Sequence, residues 1–265
     1  MDGTNAPKTG NFDVKNNLNA IGANTTLKYS FTNYLNTQIN VGHKSRFPSL
    51  RESYSDGLGR FVANPNLEPE VVNDFELGFE CLNTTGRLFV NLLYTNLSNG
   101  IVRTSVNTSD GVKFMRINKE QIRTFGVELE GNNTFNKYLD FGFSFSFLKS
   151  AAKNEEGAFS DTLEYRPEII SNLFIKSQVT KNLKLLLESN FIANEFALEE
   201  GSSTLKKLPN YYLLNLRTSY TFVFNGKNIV EIFCRVNNIF DKLYYTQVGL
   251  PEAGREYFVG FDFKF

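Results

Sequence analysis

Few residues in this sequence have types and spacing that could carry out chemistry. His43 is the only histidine, and it lies close to Ser45 and Ser49, so a serine–histidine hydrolase site can be considered. Proximity along the chain does not make a catalytic triad, because its members are recognised by their geometry in the fold. We therefore interpret His43 as a non-catalytic residue at the end of a strand, and we predict that the protein is not an enzyme.

Metal and cofactor sites are not indicated either. Cys81 and Cys234 lie in separate predicted strands among alternating apolar residues, as expected of two small hydrophobic side chains. A disulfide between them stays open at this point. One histidine and two such cysteines do not provide a metal-ligand set, and no glycine-rich phosphate loop occurs. We predict no cofactor and no metal.

Charge and hydropathy narrow the classes of partner. The 28 basic residues balance 28 acidic ones, and no basic run stands out, so nucleic acid is not an expected partner. Hydrophobic residues make up 41% of the chain, and no apolar run approaches the roughly 18 residues of a transmembrane helix. A role in a membrane would therefore have to come from β-strands.

The end of the chain gives the clearest structural signal. Its residues alternate between two faces, with Tyr257, Val259, Phe261, Phe263 and Phe265 on one and Gly260, Asp262 and Lys264 on the other. A membrane barrel places such an apolar face toward lipid and the small or charged face toward a wet lumen. We predict the closing strand of an outer-membrane barrel.

The same alternation recurs along the chain. Tight turns are predicted near residues 32, 84, 135, 181 and 225, and long polar connections at 46–69, 104–112, 151–165, 198–208 and 241–253. Short connections at one rim and long ones at the other are typical of bacterial outer-membrane barrels. A β-propeller would need about four short strands per repeat, whereas two long ones are found. The prediction is an all-β, antiparallel transmembrane β-barrel portion of about eleven long strands.

One strand makes this prediction easy to check. Phe141, Phe143, Phe145 and Phe147 are expected on the convex outside of a curved sheet. An enclosed apolar interior around them would indicate a soluble fold instead. Six tyrosines near the long connections would suit an interfacial aromatic belt: Tyr54, Tyr165, Tyr211, Tyr244, Tyr245 and Tyr257.

Several motifs, in this order and spacing, resemble the C-terminal half of a TonB-dependent outer-membrane receptor. They are Arg46-Phe47-Pro48-Ser49-Leu50-Arg51-Glu52, Asn64-Pro65-Asn66-Leu67-Glu68-Pro69-Glu70, Glu76-Leu77-Gly78, Gly126-Val127-Glu128-Leu129-Glu130, Val236-Asn237-Asn238-Ile239-Phe240-Asp241-Lys242, and the stretch from Gly254 to Phe265. The resemblance implies that residues 1–265 form the second half of a 22-stranded barrel. On this interpretation the signal peptide, TonB box and plug domain are expected to be missing from this chain.

The resemblance also implies a function. Members of this family reside in the outer membrane of Gram-negative bacteria and import a scarce ligand, most often a ferric siderophore and otherwise haem, cobalamin, another metal chelate or a glycan. The implied partners are outer-membrane lipid, the plug domain and the TonB complex, the last through the missing N-terminal region. The alternative is a small passive porin or structural barrel that is complete in itself.

Candidate site residues follow from the resemblance and from loop chemistry. An anionic iron chelate would favour arginine and tyrosine at the outer mouth, which gives the candidates Arg46, Arg51, Tyr54, Arg60, Arg103, Arg116 and Tyr165. A second set is predicted to line the lumen, namely Asp74, Glu76, Glu128, Glu130, Arg217 and Arg235. The segment from Asn64 to Glu70 is predicted to shape the start of a strand, because its prolines restrict the backbone.

Overall fold

The computed structural model describes residues 19–57, 59–154, 157–198, 205–224 and 228–264. The predicted turn near residue 225 and the terminal Phe265 lie outside these residues. In the described part of the chain, no helix combines the length and the hydropathy needed to cross a membrane.

The described chain is almost entirely β-structure. In chain order its elements are β1 (Ala23–Ser30), β2 (Leu35–Arg46), α1 (Leu50–Tyr54), β3 (Phe61–Val62), β4 (Glu70–Leu82), β5 (Gly86–Thr108), β6 (Gly111–Asn136), β7 (Leu139–Lys153), β8 (Phe159–Asp161), β9 (Ile169–Gln178), β10 (Leu183–Ala193), β11 (Phe196–Leu198), β12 (Leu205–Lys207), β13 (Tyr211–Phe224), β14 (Asn228–Asn237), β15 (Tyr245–Gln247), β16 (Leu250–Pro251) and β17 (Glu256–Lys264).

Eleven strands form one antiparallel sheet in the order β1-β2-β4-β5-β6-β7-β9-β10-β13-β14-β17. The predicted all-β fold and the count of about eleven long strands are thereby confirmed. Each strand pairs with its sequence neighbour among these eleven, so the topology is a simple meander with β1 and β17 at the edges of the described sheet. β3 adds to β6 in parallel, and β8 adds to β7.

The connections are short at one end of the sheet and long at the other, as predicted. Turns join β1 to β2, β4 to β5, β6 to β7 and β9 to β10 at the short end. The prediction of a long polar connection at 104–112 is wrong. β5 and β6 stay paired as far as Thr108 and Gly111, so a tight turn joins them. These two strands have 23 and 26 residues, against the roughly 9–11 that cross a bilayer, so their hairpin extends well beyond it.

Cross-strand register gathers the apolar residues onto one face. One continuous row contains Leu27, Ile39, Leu77, Leu92, Val127, Phe147 and Ile169. Another contains Phe141, Ile175, Leu187, Leu216, Val236 and Tyr257. We call this side of the sheet the apolar face and the other side the polar face.

The apolar face is the more exposed of the two. Phe125 on this face is 53% exposed and Phe261 is 76% exposed, whereas Asp74 on the polar face is only 7% exposed. A soluble protein shows the reverse. This distribution fits a sheet that is concave on its polar side, with an uncovered apolar outside.

Buried apolar residues occur near the long connections rather than between two layers. They are Leu67, Ile122, Ala152, Ala193, Ala197, Leu208 and Tyr211. The four phenylalanines from Phe141 to Phe147 are half-buried and are not part of this group. The sheet therefore does not enclose them in an apolar interior, which is the outcome that would have indicated a soluble fold.

Candidate functional site

The structure places all seven predicted ligand candidates at the end of the sheet that carries the long connections. They come from the end of β2 (Arg46), from α1 (Arg51 and Tyr54), from the approach to β3 (Arg60), from the outer parts of β5 and β6 (Arg103 and Arg116), and from the connection before β9 (Tyr165). Their surroundings differ.

Arg46 forms ion pairs with two carboxylates of its own chain. Its two terminal nitrogens donate to Glu52 at 2.8 and 3.0 Å, and its Nε donates to Glu70 at 2.6 Å. Glu52 also closes a capping box with Ser49 at the start of α1. The Arg46 hydrogen bonds are the main cause that lowers the pKa of Glu52 to about 2. Arg46 thus joins the end of β2, the helix and the start of β4.

The segment from Asn64 to Glu70 packs onto the hairpin of β5 and β6. Asn64 Nδ2 donates to the carbonyl of Arg116 at 2.9 Å. Asn118 contacts the backbone of Glu68 in both directions, accepting from its N–H at 2.9 Å and donating to its carbonyl at 3.0 Å. Leu67, between them, is only 2% exposed. These contacts support the prediction that the segment shapes the start of β4.

Two of the predicted arginines meet on the polar face. Arg103 on β5 lies opposite Arg116 on β6. The Arg103 guanidinium lies 4.2 Å from the ring centre of Phe114, and that of Arg116 lies 4.3 Å from the ring centre of Phe61. The two rings are 5.7 Å apart. We call these four residues the arginine–phenylalanine cluster.

The two arginines of this cluster differ in their charge balance. Arg103 forms an ion pair with Glu164, a half-buried carboxylate in the connection before β9. Arg116 donates at 3.4 Å to the carbonyl of Arg51, and it forms no ion pair with any carboxylate of the described side chains. Of the two, Arg116 therefore keeps a positive charge that an external anion can neutralise.

Tyr165 is brought to the same region through its neighbour. Glu164 reaches Arg103, and the Tyr165 N–H donates to the carbonyl of Phe196 at 2.8 Å. Tyr165 has a positive φ of 52° and is 41% exposed. A non-glycine residue in the left-handed region is uncommon, so this turn is held by its surroundings.

A further group at the same end was predicted only as part of an aromatic belt. The rings of Tyr211 and Tyr244 contact each other at an angle of 38° with their centres 4.8 Å apart, and Tyr211 is 7% exposed. In the same region, burial raises the pKa of the Glu195 carboxyl. Burial is also the main reason why the pKa of the Tyr244 hydroxyl is raised. Tyr211 lies on the polar face, so its predicted place in a lipid-facing aromatic belt is wrong. The alternation of β13 could have revealed this, because Tyr211 has the parity of Asn215 and Arg217 and not that of Tyr212, Leu214 and Leu216.

The six predicted lumen residues all lie on the polar face, in agreement with their alternation. Most are paired there. Asp74 contacts Lys44 at 3.0 Å, Glu130 contacts Arg87 at 3.6 Å, Arg217 contacts Glu231 at 3.4 Å and Arg235 contacts Glu188 at 3.7 Å, while Glu128 accepts from Asn91 at 3.2 Å. Among the described side chains, Glu76 has no ion-pair or hydrogen-bond partner. That these residues line a lumen stays a prediction.

The residues considered for catalysis do not form a site. His43 lies on the apolar face, where Nδ1 contacts the amide oxygen of Asn73 at 2.7 Å. Ser45 donates instead to the carbonyl of Ile21, and Ser49 caps α1. Cys81 and Cys234 are free thiols. Within the described residues, no group of three or more metal-ligating side chains is close enough to hold a metal ion.

Comparison with known proteins gives the family. A family model described as "TonB dependent receptor-like, beta-barrel" matches residues 2–239. An iron-regulated outer membrane virulence protein of Vibrio cholerae is 24% identical over 237 residues, covering 83% of this chain and 36% of the relative. Heme/hemopexin utilization protein C of Haemophilus influenzae is 22% identical over 276 residues, covering 91% and 37%. The chain thus spans about a third of the length of these relatives.

Solved structures show the same fold. The copper transporter OprC has a TM-score of 0.74 at 16% identity, covering 91% of this chain and 39% of the transporter. The ferric-catecholate import receptor Fiu from E. coli K12 has a TM-score of 0.67 at 18% identity, covering 90% and 34%. Since the family model matches most of its residues, the chain belongs to the TonB dependent receptor-like β-barrel family of outer-membrane proteins.

Proposed function

We propose that this chain is the C-terminal part of the barrel of a TonB-dependent receptor that imports an iron–siderophore complex. Several similar proteins have names that point to iron, including the iron-regulated virulence protein of V. cholerae and the ferric-catecholate receptor Fiu. The ferric enterobactin receptor PfeA of Pseudomonas aeruginosa, solved with enterobactin, has a TM-score of 0.67 and 16% identity over 91% of this chain. Other similar proteins are named for copper and for heme, so these two are the alternative ligands that the experiment has to test.

The observation that carries this proposal is the arginine–phenylalanine cluster. It lies on the polar face at the end with the long connections, which in outer-membrane barrels is the extracellular end. Arg116 offers a charge that no described carboxylate neutralises, and Phe61 and Phe114 offer aromatic surface beside it. An anionic, aromatic iron chelate could use both features, since guanidinium groups bind anions and stack on rings.

The open edges of the sheet support the proposed place of the chain in a larger barrel. β1 and β17 border the described sheet, and unpaired edge groups are not tolerated in lipid. Further strands would satisfy them, in keeping with relatives about three times as long. The plug domain and the TonB complex are the proposed partners for opening the path. Family membership favours this receptor over a passive porin and over an enzyme.

The test measures binding and uptake with the full-length protein. Radiolabelled ferric enterobactin is the first probe, followed by haem and Cu²⁺ in parallel assays. Arg116→Gln should weaken ferric enterobactin binding by roughly tenfold, the equivalent of about 1.4 kcal/mol. Arg255→Gln, which removes an exposed arginine at the same end but away from the cluster, should leave binding unchanged.

Uptake decides between receptor and porin. In a strain without TonB, a receptor still binds its ligand at the cell surface but no longer accumulates it. Accumulation that continues without TonB and follows the external concentration would support the passive barrel. Binding of haem or Cu²⁺ with no binding of ferric enterobactin would be consistent with a receptor, but it would contradict an iron–siderophore complex as its ligand.

A further inference from the structure

The apolar face changes character abruptly toward the long connections. Along β6 the change falls between Phe125 and Arg123, and along β7 between Phe147 and Lys149. β5, β4 and β2 change at the residues that lie in register with β6, from Tyr94 to Asn96, from Phe75 to Asn73 and from Val41 to His43. On β7 the change comes one pair earlier, because Lys149 is the partner of Phe125. Such a line is expected where hydrocarbon gives way to lipid headgroups.

Two cations lie on this line and face the same way. Lys149 pairs with Phe125 across the sheet, and Arg123 pairs with Ala151. Arg123 and Lys149 are therefore diagonal neighbours on the apolar face, about 7–8 Å apart at the backbone. Both side chains are exposed. Like charges this close repel each other unless an anion lies between them.

The protein does not supply that anion from its described side chains. Neither Arg123 nor Lys149 forms an ion pair with a described carboxylate. The Arg123 guanidinium instead stacks on the ring of Phe159, 3.8 Å from its centre. Stacking holds the guanidinium plane in place and leaves its in-plane N–H donors available for a bidentate contact.

We propose that Arg123 and Lys149 bind a phosphate group of an anionic lipid headgroup in the outer leaflet. The site adjoins Phe125 and Phe147 on the apolar face, so acyl chains can contact these rings while the phosphate meets the two cations. A soluble anion would gain nothing from the rings. This site lies on the opposite face of the sheet from the arginine–phenylalanine cluster and is independent of the imported ligand.

The experiment is native mass spectrometry of the full-length protein in detergent. Diphosphorylated lipid A is titrated against the wild type and the double variant Arg123→Gln/Lys149→Gln, with enzymatically dephosphorylated lipid A as the second probe. Two surface cations contribute about 1 kcal/mol each toward an anionic lipid, so the double variant should bind roughly 10- to 30-fold more weakly. Exchanging the two cations, Arg123→Lys/Lys149→Arg, should keep the affinity within about threefold.

Matched controls distinguish binding at this site from non-specific electrostatic attraction between the lipid and the protein. Lys137→Gln/Lys181→Gln removes the same charge from turns at the short end and should not change lipid binding. Equal loss in this control, equal binding of the dephosphorylated lipid, or wild-type binding by the double variant would each overturn the proposal. Displacement of the lipid by millimolar inorganic phosphate would overturn it as well, because the site would then recognise phosphate without lipid.

Discussion

Phe174 lies directly over Gly142, its cross-strand partner on the polar face between β9 and β7. A methyl group added at Gly142 would overlap the phenyl ring. The arrangement recurs: Phe233 covers Gly260, Phe89 covers Gly78, and each of the three rings has a cation beside it, Lys176, Arg217 and Arg87 respectively. The polar face is therefore built from glycine–phenylalanine–cation units as well as from ion pairs.

Replacing Gly142 by valine should displace Phe174 and separate it from Lys176. We expect a loss of about 1–3 kcal/mol in the free energy of unfolding, because a bulky group is forced into filled space. The measurement is the urea midpoint of the full-length protein in lipid vesicles. Ser146→Val, on the same face of β7 but away from Phe174, is the control. Equal midpoints for the two variants would show that the ring does not depend on the glycine.

Arg46→Lys should loosen the connection between β2 and β4. Lysine has one ammonium group and cannot bind Glu52 through two nitrogens while also reaching Glu70. We expect trypsin to cleave after Arg51 about tenfold faster, corresponding to about 1.4 kcal/mol of lost local stability. Arg255→Lys is the control. Unchanged cleavage would mean that the contacts of Asn64 and Asn118 hold the connection by themselves.

The same connection should respond to acid. Arg46 keeps the pKa of Glu52 in the folded protein at about 2, below its ordinary value of 4.5. A carboxylate with a lowered pKa stabilises the fold fully above its unfolded pKa and loses that effect as the pH falls. Hydrogen exchange of α1, corrected for intrinsic rates, should therefore rise between pH 4.5 and about 2. Glu52→Gln should already exchange faster at pH 7, and a flat profile in the wild type would contradict the prediction.

Asn238 is a buried link after β14 and should be sensitive to substitution. It is 4% exposed and has a φ of 51°. Its side chain donates to the carbonyl of Lys242 at 2.9 Å and accepts from the Lys242 N–H at 2.8 Å. Asn238→Gly keeps the backbone conformation and loses both bonds, at a cost of about 1–3 kcal/mol. Asn238→Ala adds about 1 kcal/mol of left-handed strain. Equal thermal midpoints for both variants would argue against that strain.

A charge should be tolerated on one face of β7 and rejected on the other. Phe145 pairs with Leu129 within the apolar face, and Ser144 pairs with Glu130 on the polar face. Phe145→Arg should cost about 2–4 kcal/mol in lipid and reduce barrel assembly, whereas Ser144→Arg should assemble normally. Heat-modifiable migration of the full-length protein on gels reports assembly. Equal assembly of the two variants would contradict the lipid contact of the apolar face.

The sequence by itself determined the strands, their number and the sorting of their side chains. Alternation has a period of two, so it assigns Phe145 to one face and Ser144 to the other without knowledge of any partner strand. The tight turns and the acidic faces follow from the same local pattern, and so do the lumen candidates.

Only the tertiary structure decided which charges remain available. Arg103 is neutralised by Glu164, 61 residues away, and Arg46 by Glu52 in α1 and Glu70 at the start of β4, whereas Arg116 has no such partner among the described side chains. The contact of Tyr211 with Tyr244 and the continuation of β5 and β6 past their predicted ends were decided in the same way. Apart from the pair of Arg46 and Glu52, these contacts join segments that are distant in sequence, and the alternation of a single strand carries no information about any of them.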